Sequence, residues 1–315
     1  MGVLKSHHTK NHFIISAPRS GTTWLSTILN THPQINCVER RLFGNYADFV
    51  LDDNATLPRL RVTLDKYVNS LLLHHGLPKQ QHDQLLHNLI QTLIAEEKTY
   101  SGKNILIDKI TPYINTSHLV LQQIDRFFPK AKLIFLVRDG RDVLTSGVFH
   151  WFNKQPNDKT LSDFELKRRQ VFLNQNDTKF ERFFQDQEIQ QWGKEWKQSL
   201  QIIETAKKTH EVKIIFYEDL LKNAKKVLDE CLTFLSAKTK IELINKCLEA
   251  GSFKTMSDGR EVGETKHDAH IRKGVAGDWK TYFTYQDAKL FQEVTENYLV
   301  TFGYENNEHW FERFR

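Results

Sequence analysis

Short apolar runs, each bounded by polar residues, recur along the chain with room for a helix between them. Four such runs, rich in β-branched or aromatic side chains, cover residues 13–16, 105–107, 133–137 and 212–217. This pattern is typical of parallel strands that are covered on both faces. Apolar residues at helical spacing occupy parts of the intervals, at 24–29, 119–128 and 192–205. The alternation predicts an α/β fold with a doubly wound sheet that binds ligands at the carboxyl ends of its strands.

Two long segments interrupt this alternation. Residues 57–95 are leucine-rich with helical spacing and carry no strand signal, and residues 153–188 are polar with interspersed phenylalanines. We interpret segments 44–100 and 153–188 as excursions over the sheet edge that form an acceptor pocket or its lid. The alternative interpretation is that these segments only pack against the rest of the fold and have no role in binding.

Composition narrows the class of protein. The chain has 315 residues, of which 39% are hydrophobic and 26% charged, and no linker-like block divides it. We therefore expect a single domain over residues 1–315, with residues 1–12 flexible. Three cysteines, an odd number, and the lack of an apolar leader predict a cytoplasmic protein. The start of the chain fits a loose myristoylation pattern, and lipidation of Gly2 stays open.

Charge adds a preference for anionic ligands. The net charge is +5, but basic and acidic residues are mixed along the chain. A diffuse excess of this kind does not indicate nucleic-acid binding, and no run reaches the length of a membrane span. We expect neither nucleic acid nor membrane as a partner.

The turn after the first apolar run carries the first candidate site. It reads Pro18-Arg19-Ser20-Gly21-Thr22-Thr23-Trp24, between a predicted strand and a predicted helix. A helix that begins there aims backbone N–H groups at one point, and Arg19 adds a fork of donors for an anion. The turn lacks the second glycine and the lysine of a Walker A motif, so it fits one terminal phosphate or sulfate group. An ordinary strand–helix turn is the alternative.

Two further clusters carry cations beside candidate turns. Arg138 ends the predicted strand 133–137, and Ser146 lies two turns into the helix that follows. Arg272 and Lys273 precede Gly274, where the backbone can close around a phosphate. Three cation-bearing clusters in one α/β chain indicate a ligand with at least two anionic ends.

These motifs resemble those of the cytosolic sulfotransferases, which use 3′-phosphoadenosine 5′-phosphosulfate (PAPS). The resemblance runs from about residue 13 to residue 303 and includes Phe216 to Leu220 and Ser252 to Met256. It implies a P-loop-like, three-layer fold with a central parallel sheet flanked by helices. The residues implied to hold the 5′-phosphosulfate are Arg19, Ser20, Gly21, Thr22 and Thr23. Those implied to hold the 3′-phosphate are Arg138, Ser146, Arg272, Lys273 and Gly274. The adenine is expected among Trp24, Tyr217, Ser252, Phe253 and Met256.

The catalytic base is where the chain departs from the cytosolic pattern. The stretch Asp108-Lys109-Ile110-Thr111-Pro112-Tyr113 has no histidine and is similar to tyrosylprotein and bacterial sulfotransferases, which place a glutamate after a His-Pro dipeptide. His32-Pro33 is followed here by Glu39, which we expect to be the base. Lys109 and Arg19 are expected to stabilise charge on the transferred sulfonate, with no metal.

Several alternatives stay open at this point. Glu39 could instead pair with Arg40, Arg41 or another cation, and Asp108 and His150 are the other candidate bases. A small molecule, a glycan, a lipid and a peptide are all candidate hydroxyl acceptors, and the oligomeric state is undetermined. Competing functions are a nucleotide or small-molecule kinase, against which the missing Walker A lysine counts, and a nucleotide-binding module without catalysis.

Overall fold

A computed structural model describes residues 11–39, 48–50, 61–63, 74, 76, 78, 80–112, 116–154, 161–174, 182–266, 269 and 271–315. The strands among them are β1 (Asn11–Ile15), β2 (Ile35–Val38), β3 (Asp48–Val50), β4 (Arg61–Thr63), β5 (Ile105–Ile110), β6 (Lys132–Val137) and β7 (Glu211–Phe216). The first helices are α1 (Thr22–Thr31), α2 (Gln80–Ser101), α3 (Ser117–Phe127), α4 (Gly140–Lys154), α5 (Asp163–Asn174) and α6 (Asp186–Ala206).

The C-terminal part is helical. It contains α7 (Tyr217–Phe234), α8 (Ile241–Ala250), α9 (Phe253–Met256), α10 (Tyr285–Thr295) and α11 (Tyr298–Thr301), with 3₁₀ turns at Asp278–Thr281 and Trp310–Phe314. No helix within the described ranges is long and apolar enough to cross a bilayer.

A parallel sheet with the strand order β2-β5-β1-β6-β7 forms the centre of the fold. β1 lies in the middle, where Ile14 pairs with Lys109 of β5 and Ile15 with Phe135 of β6. Because these strands are parallel, their carboxyl ends meet at one edge. The predicted residues Glu39, Lys109, Arg138 and Tyr217 lie at or just beyond the ends of β2, β5, β6 and β7.

Alternating side chains of the central strands supply two cores, one on each face. Phe13 and Phe135 belong to a core with α3, α4, α6 and α10, whereas Ile14 and Ile134 belong to a core with α1, α7 and α8. A strand that is buried on both faces is apolar throughout, which is why the apolar runs located these strands in the sequence. The predicted α/β architecture with a central parallel sheet between helices is confirmed.

Some sequence-based expectations need correction. β1 begins at Asn11, so residues 11 and 12 are strand and not part of a flexible terminus; residues 1–10, with Gly2, lie outside the described residues. β2 was not predicted, because a four-residue strand in which buried and half-buried residues alternate leaves little signal. Residues 57–95 were expected to lack a strand, yet 61–63 form β4, which pairs antiparallel with β3. That pairing depends on a partner outside the segment, which a local pattern cannot reveal.

The predicted excursions are described in part. α2 accounts for residues 80–101 of the first, and α5 and the start of α6 lie in the second. Most of 44–79, together with 155–160 and 175–181, lies outside the described residues, as do Arg40, Arg41 and Tyr113. Whether the excursions form the acceptor pocket or its lid stays a prediction.

Candidate functional site

A cavity of about 520 Å³ opens at the carboxyl edge of the sheet. Its wall is formed by the turn after β1, the ends of β5 and β6, the start of α7, inner faces of α4 and α6, and the segment 251–275. Every residue predicted to bind the donor or act in catalysis lines it except Ser20, which is buried behind the first turn. Segments separated by more than two hundred residues in the chain therefore meet at one place.

The first turn has the conformation of an anion-binding loop. Arg19 and Gly21 have positive φ angles of 67° and 92°, and Gly21 caps α1 without any side-chain hydrogen bond to the helix N–H groups. A Cβ atom on Gly21 would lie 2.7 Å from the Tyr217 ring, so only glycine fits between the turn and α7. Ser20 Oγ is buried and has no hydrogen-bond partner among the described residues. An anion held by the N–H groups of α1 would supply acceptors here.

Guanidinium groups from distant segments converge beside this turn. Arg19 Nε donates to Ser146 Oγ at 3.2 Å, and Arg138 Nη1 donates to the Arg19 carbonyl at 3.0 Å. Burial, followed by the positive charges of Arg138 and Arg272, lowers the pKa of Arg19 to about 10. Arg138 also stacks on the Tyr217 ring at 4.4 Å, and its Nε has no hydrogen-bond partner within the described residues. Like charges held this close favour binding of a multiply charged anion.

Asp278 anchors the C-terminal basic pair. It binds Arg272 and, at 2.8 Å, Lys273 Nζ. Burial opposes ionisation of Asp278, but these two cations together lower the pKa of its carboxyl below the ordinary value. The next turn is fixed by Asp142, which accepts hydrogen bonds from the N–H groups of Gly277 and Trp279. Both basic side chains are therefore held at the cavity by a rigid turn.

Aromatic side chains flank the segment 251–275. Trp24 Nε1 donates to the Gly251 carbonyl at 2.6 Å, and the Trp24 ring meets the Tyr217 ring edge-on at 5.6 Å. Gly274 has a φ of 68°, and a Cβ atom there would lie 2.3 Å from the Phe253 ring. Trp24 and Phe253 both line the cavity, as do Ser252 and Met256. Fixed rings at the mouth of a cationic cavity are suited to holding a flat base.

The predicted base and the predicted charge-stabilising lysine form an ion pair. Glu39 Oε2 lies 2.7 Å from Lys109 Nζ, and both groups line the cavity. A cation therefore pairs with Glu39. This cation is Lys109, which is itself expected to stabilise charge on the sulfonate. His150, from α4, also lines the cavity, whereas Asp108 is fully buried beneath it and does not.

Sequence reasoning missed two residues of the cavity region. Glu195 of α6 is 5% exposed and lines the wall, and its pKa is raised to about 7 by burial. Arg260 donates to the carbonyls of Ser257, Glu264, Ile271 and Arg272 and so fixes the basic segment from behind. The spacing of Gln191, Trp192 and Glu195 on one helix face was a usable signal for the first residue. The sequence offers no comparable signal for Arg260.

A family model and several proteins of known sequence match this chain, and they all point to one family. Residues 9–303 match the family model described as sulfotransferase domain. The chain is 29% identical over 212 residues to Sulfotransferase 2A6 of Mus musculus, covering 64% of this chain and 69% of that protein. It is 25% identical over 213 residues to 3-beta-hydroxysteroid sulfotransferase of Cavia porcellus, covering 64% and 69%.

A similar solved structure is that of mouse sulfotransferase SULT7A1 complexed with PAP. Its TM-score is 0.52 at 18% identity, with 98% of this chain and 89% of that chain covered. At this identity the likeness is one of fold, and it agrees with the predicted P-loop-like, three-layer architecture.

Proposed function

The chain belongs to the sulfotransferase family, and we propose that it transfers a sulfonate group from PAPS to the hydroxyl group of a small-molecule acceptor. The observation that carries this proposal is the convergence of Arg19, Arg138 and Arg272, from three distant segments, on one cavity with aromatic walls. A donor with phosphate at one end, phosphosulfate at the other and an adenine ring matches such a site.

The donor would be held at three points. The N–H groups at the start of α1 and the side chains of Arg19, Ser20 and Thr22 would bind the 5′-phosphosulfate, and the unpartnered Ser20 Oγ supports this assignment. Arg138, Ser146 and the segment Arg272 to Gly274 would bind the 3′-phosphate. Trp24 and Phe253 would enclose the adenine. The bound donor supplies the sulfonate group, and the chain supplies its orientation.

The transfer itself needs a base and positive charge. As the acceptor oxygen forms its bond to sulfur, the bond from sulfur to the bridging phosphate oxygen breaks, and Glu39 accepts the hydroxyl proton. Lys109 and Arg19 stabilise the charge that develops on the bridging oxygen and the sulfonate. Because these cations serve the role that a metal serves in phosphoryl transfer, we propose that no metal takes part. The ion pair between Glu39 and Lys109 holds both groups in the cavity until the substrates bind.

The class of acceptor and the cellular compartment are also part of the proposal. Relatives of this chain bear the name hydroxysteroid sulfotransferase, which supports a small hydroxyl compound over a glycan or a peptide. The cysteines are free and buried, in keeping with a cytoplasmic protein.

Calorimetry with adenosine 3′,5′-bisphosphate (PAP), the donor without its sulfonate, tests this function. We expect PAP to bind without magnesium and much more tightly than ATP with magnesium. Arg272→Ala should weaken PAP binding by about 10- to 100-fold, as for a lost charge-assisted contact. Arg315→Ala, which removes an arginine that is mostly exposed, is the matched control. Equal binding of ATP with magnesium, or unchanged PAP binding by Arg272→Ala, would contradict the proposal.

A further inference from the structure

Glu195 is a buried carboxyl group that has no partner among the residues that the structure describes. It is 5% exposed, its Oε1 atom has no hydrogen-bond partner within the described ranges, and no charged group there acts on its carboxyl. Burial alone raises the pKa of this carboxyl to about 7. Other buried acids are paired: Glu165 binds Arg169, and Asp278 binds Lys273. Glu195 therefore stands apart from the structural carboxylates.

The surroundings of Glu195 are a mixed aromatic and polar wall. Gln191, Trp192 and Glu195 lie on one face of α6 and line the cavity together. Across from them α4 contributes His150, and it brings Gly147 against the Trp192 ring, where a Cβ atom would lie 2.4 Å from the ring. None of these residues has a place in the proposed donor site. This part of the wall is therefore available to the acceptor.

The fold does not need an ionisable group at this position. A buried carboxyl that lacks hydrogen bonds destabilises the folded state, and an apolar residue of similar size removes that loss. A perturbed, unpartnered acid at a cavity wall is instead typical of a functional group.

We propose, on the basis of the proposed function, that Glu195 binds a hydrogen-bond donor of the acceptor at a point remote from the hydroxyl that receives the sulfonate. The donor is an ammonium group or a second hydroxyl. The acceptor class is thus a compound with a reactive hydroxyl and a second polar group that donates hydrogen bonds. Acceptors that carry a carboxylate at that point are rejected.

Two matched series of hydroxyl compounds test the proposal. The first is tyramine, tyrosol, para-ethylphenol and phloretic acid, and the second is aminohexanol, hexanediol, hexanol and hydroxyhexanoate. Affinity for the wild-type protein is measured by calorimetry with and without PAP. In at least one series the ammonium or hydroxyl member should bind about 10-fold or more tightly than the alkyl member, in line with hydrogen bonds to charged groups. If no such preference is found in either series, the proposal is wrong.

Three variants separate recognition from folding. Glu195→Leu should abolish the preference, and Glu195→Gln should keep a preference for the hydroxyl member while losing that for the ammonium member. Glu204→Gln, an exposed glutamate on the same helix, should change neither. A preference that survives Glu195→Leu overturns the proposal. So does a lower Tm of Glu195→Leu without ligand, because that result assigns Glu195 a structural role.

PAP binding keeps the two hypotheses apart. All Glu195 variants should bind PAP within about 2-fold of the wild-type affinity, because the donor contacts lie elsewhere. Absence of PAP binding by the wild type would refute the proposed function, while the titrations without PAP would still decide whether Glu195 selects hydrogen-bond donors.

Discussion

The carboxylate of Glu39 and the ammonium of Lys109 are 2.7 Å apart. In this pairing the two opposite charges neutralise each other, and the three N–H donors of the ammonium allow Lys109 to contact a sulfonate as well. Binding of the donor would offer Lys109 a second anionic partner and so weaken its hold on the carboxylate that we propose as the base. On this proposal the ion pair links donor binding to proton transfer at Glu39.

Replacement of Glu39 tests its proposed role as the base. We expect Glu39→Gln to lower kcat by about 100- to 10,000-fold, the range for loss of a general base, while PAP affinity falls little or not at all. Transfer of labelled sulfonate to any accepted hydroxyl compound measures kcat, and calorimetry measures PAP affinity. Glu293→Gln, at an exposed position of α10, is the control. An unchanged kcat would assign the base to another group, with His150 the next candidate in the cavity.

The pKa of Glu195 leads to a prediction about stability and pH. Burial raises this pKa from 4.5 to about 7, so between these values the folded state binds more protons than the unfolded state. The contribution of Glu195 to stability therefore falls as pH rises through this window and is constant above it; the total change is about 3 kcal/mol.

The difference in free energy of unfolding between wild type and Glu195→Gln isolates this contribution. The other titratable groups are present in both proteins, so their contributions largely cancel. Urea unfolding at several pH values from 5 to 8 measures the difference. We expect the free energy of unfolding of the wild type to fall relative to that of Glu195→Gln as pH rises. A difference that does not change with pH would mean that Glu195 is not buried as described.

At the scale of elements, the segment 251–275 brings Phe253, Arg272 and Lys273 to the cavity although little regular structure holds it. The side chain of Arg260 holds this segment together. It donates to four of its backbone carbonyls and stacks on Phe253 at 5.4 Å from the ring centroid. Such a contact orders the chain before the ligand binds and thereby lowers the entropy lost on binding.

Removal of this contact should therefore act on donor affinity. We expect Arg260→Ala to weaken PAP binding by about 10-fold or more, through ordering of the segment and not through direct contact. Arg260→Lys should restore only part of the affinity, because an ammonium cannot reach all of the carbonyls at once. Lys254→Ala, at an exposed position of the same segment, is the control. Equal PAP affinity of Arg260→Ala and wild type would show that the segment is ordered without Arg260.

The elements that sequence reasoning located and missed differ in a physical way. β1 and β6 are buried on both faces, so their apolar runs carry the signal within the strand itself. β2 and the β3–β4 pair are short, and pairing with distant residues defines them. The same distinction holds for the site, where Arg19 and Arg272 stand in recognisable motifs. The helical spacing of Glu195 marks its place on one face of α6, but its burial depends on elements distant in sequence. A local sequence pattern therefore identifies only those features whose physical cause lies within the same segment.

At the scale of the whole molecule, the parallel sheet gathers positive charge at one edge. Three arginines meet there: Arg19 after β1, Arg138 after β6 and Arg272 from the segment 251–275. Burial is the largest cause that lowers the pKa of Arg19, and the positive charges of Arg138 and Arg272 lower it further. This repulsion is a loss of stability in the free protein. It is relieved when an anion binds, so ligand binding and global stability should be linked.

Thermal unfolding measures this linkage. At about 100 times its dissociation constant, PAP stabilises the folded state by about 2.7 kcal/mol, which for a chain of this length corresponds to a rise in Tm of about 5 °C. We expect this rise in the presence of EDTA, because arginine and lysine side chains neutralise the phosphates, and a much smaller rise with ATP and magnesium. Added salt should reduce the affinity, since the site binds through charge. A rise that requires magnesium would show that the cationic edge alone does not bind the nucleotide, and equal rises with PAP and ATP would show that the cavity does not distinguish a bisphosphate from a linear triphosphate.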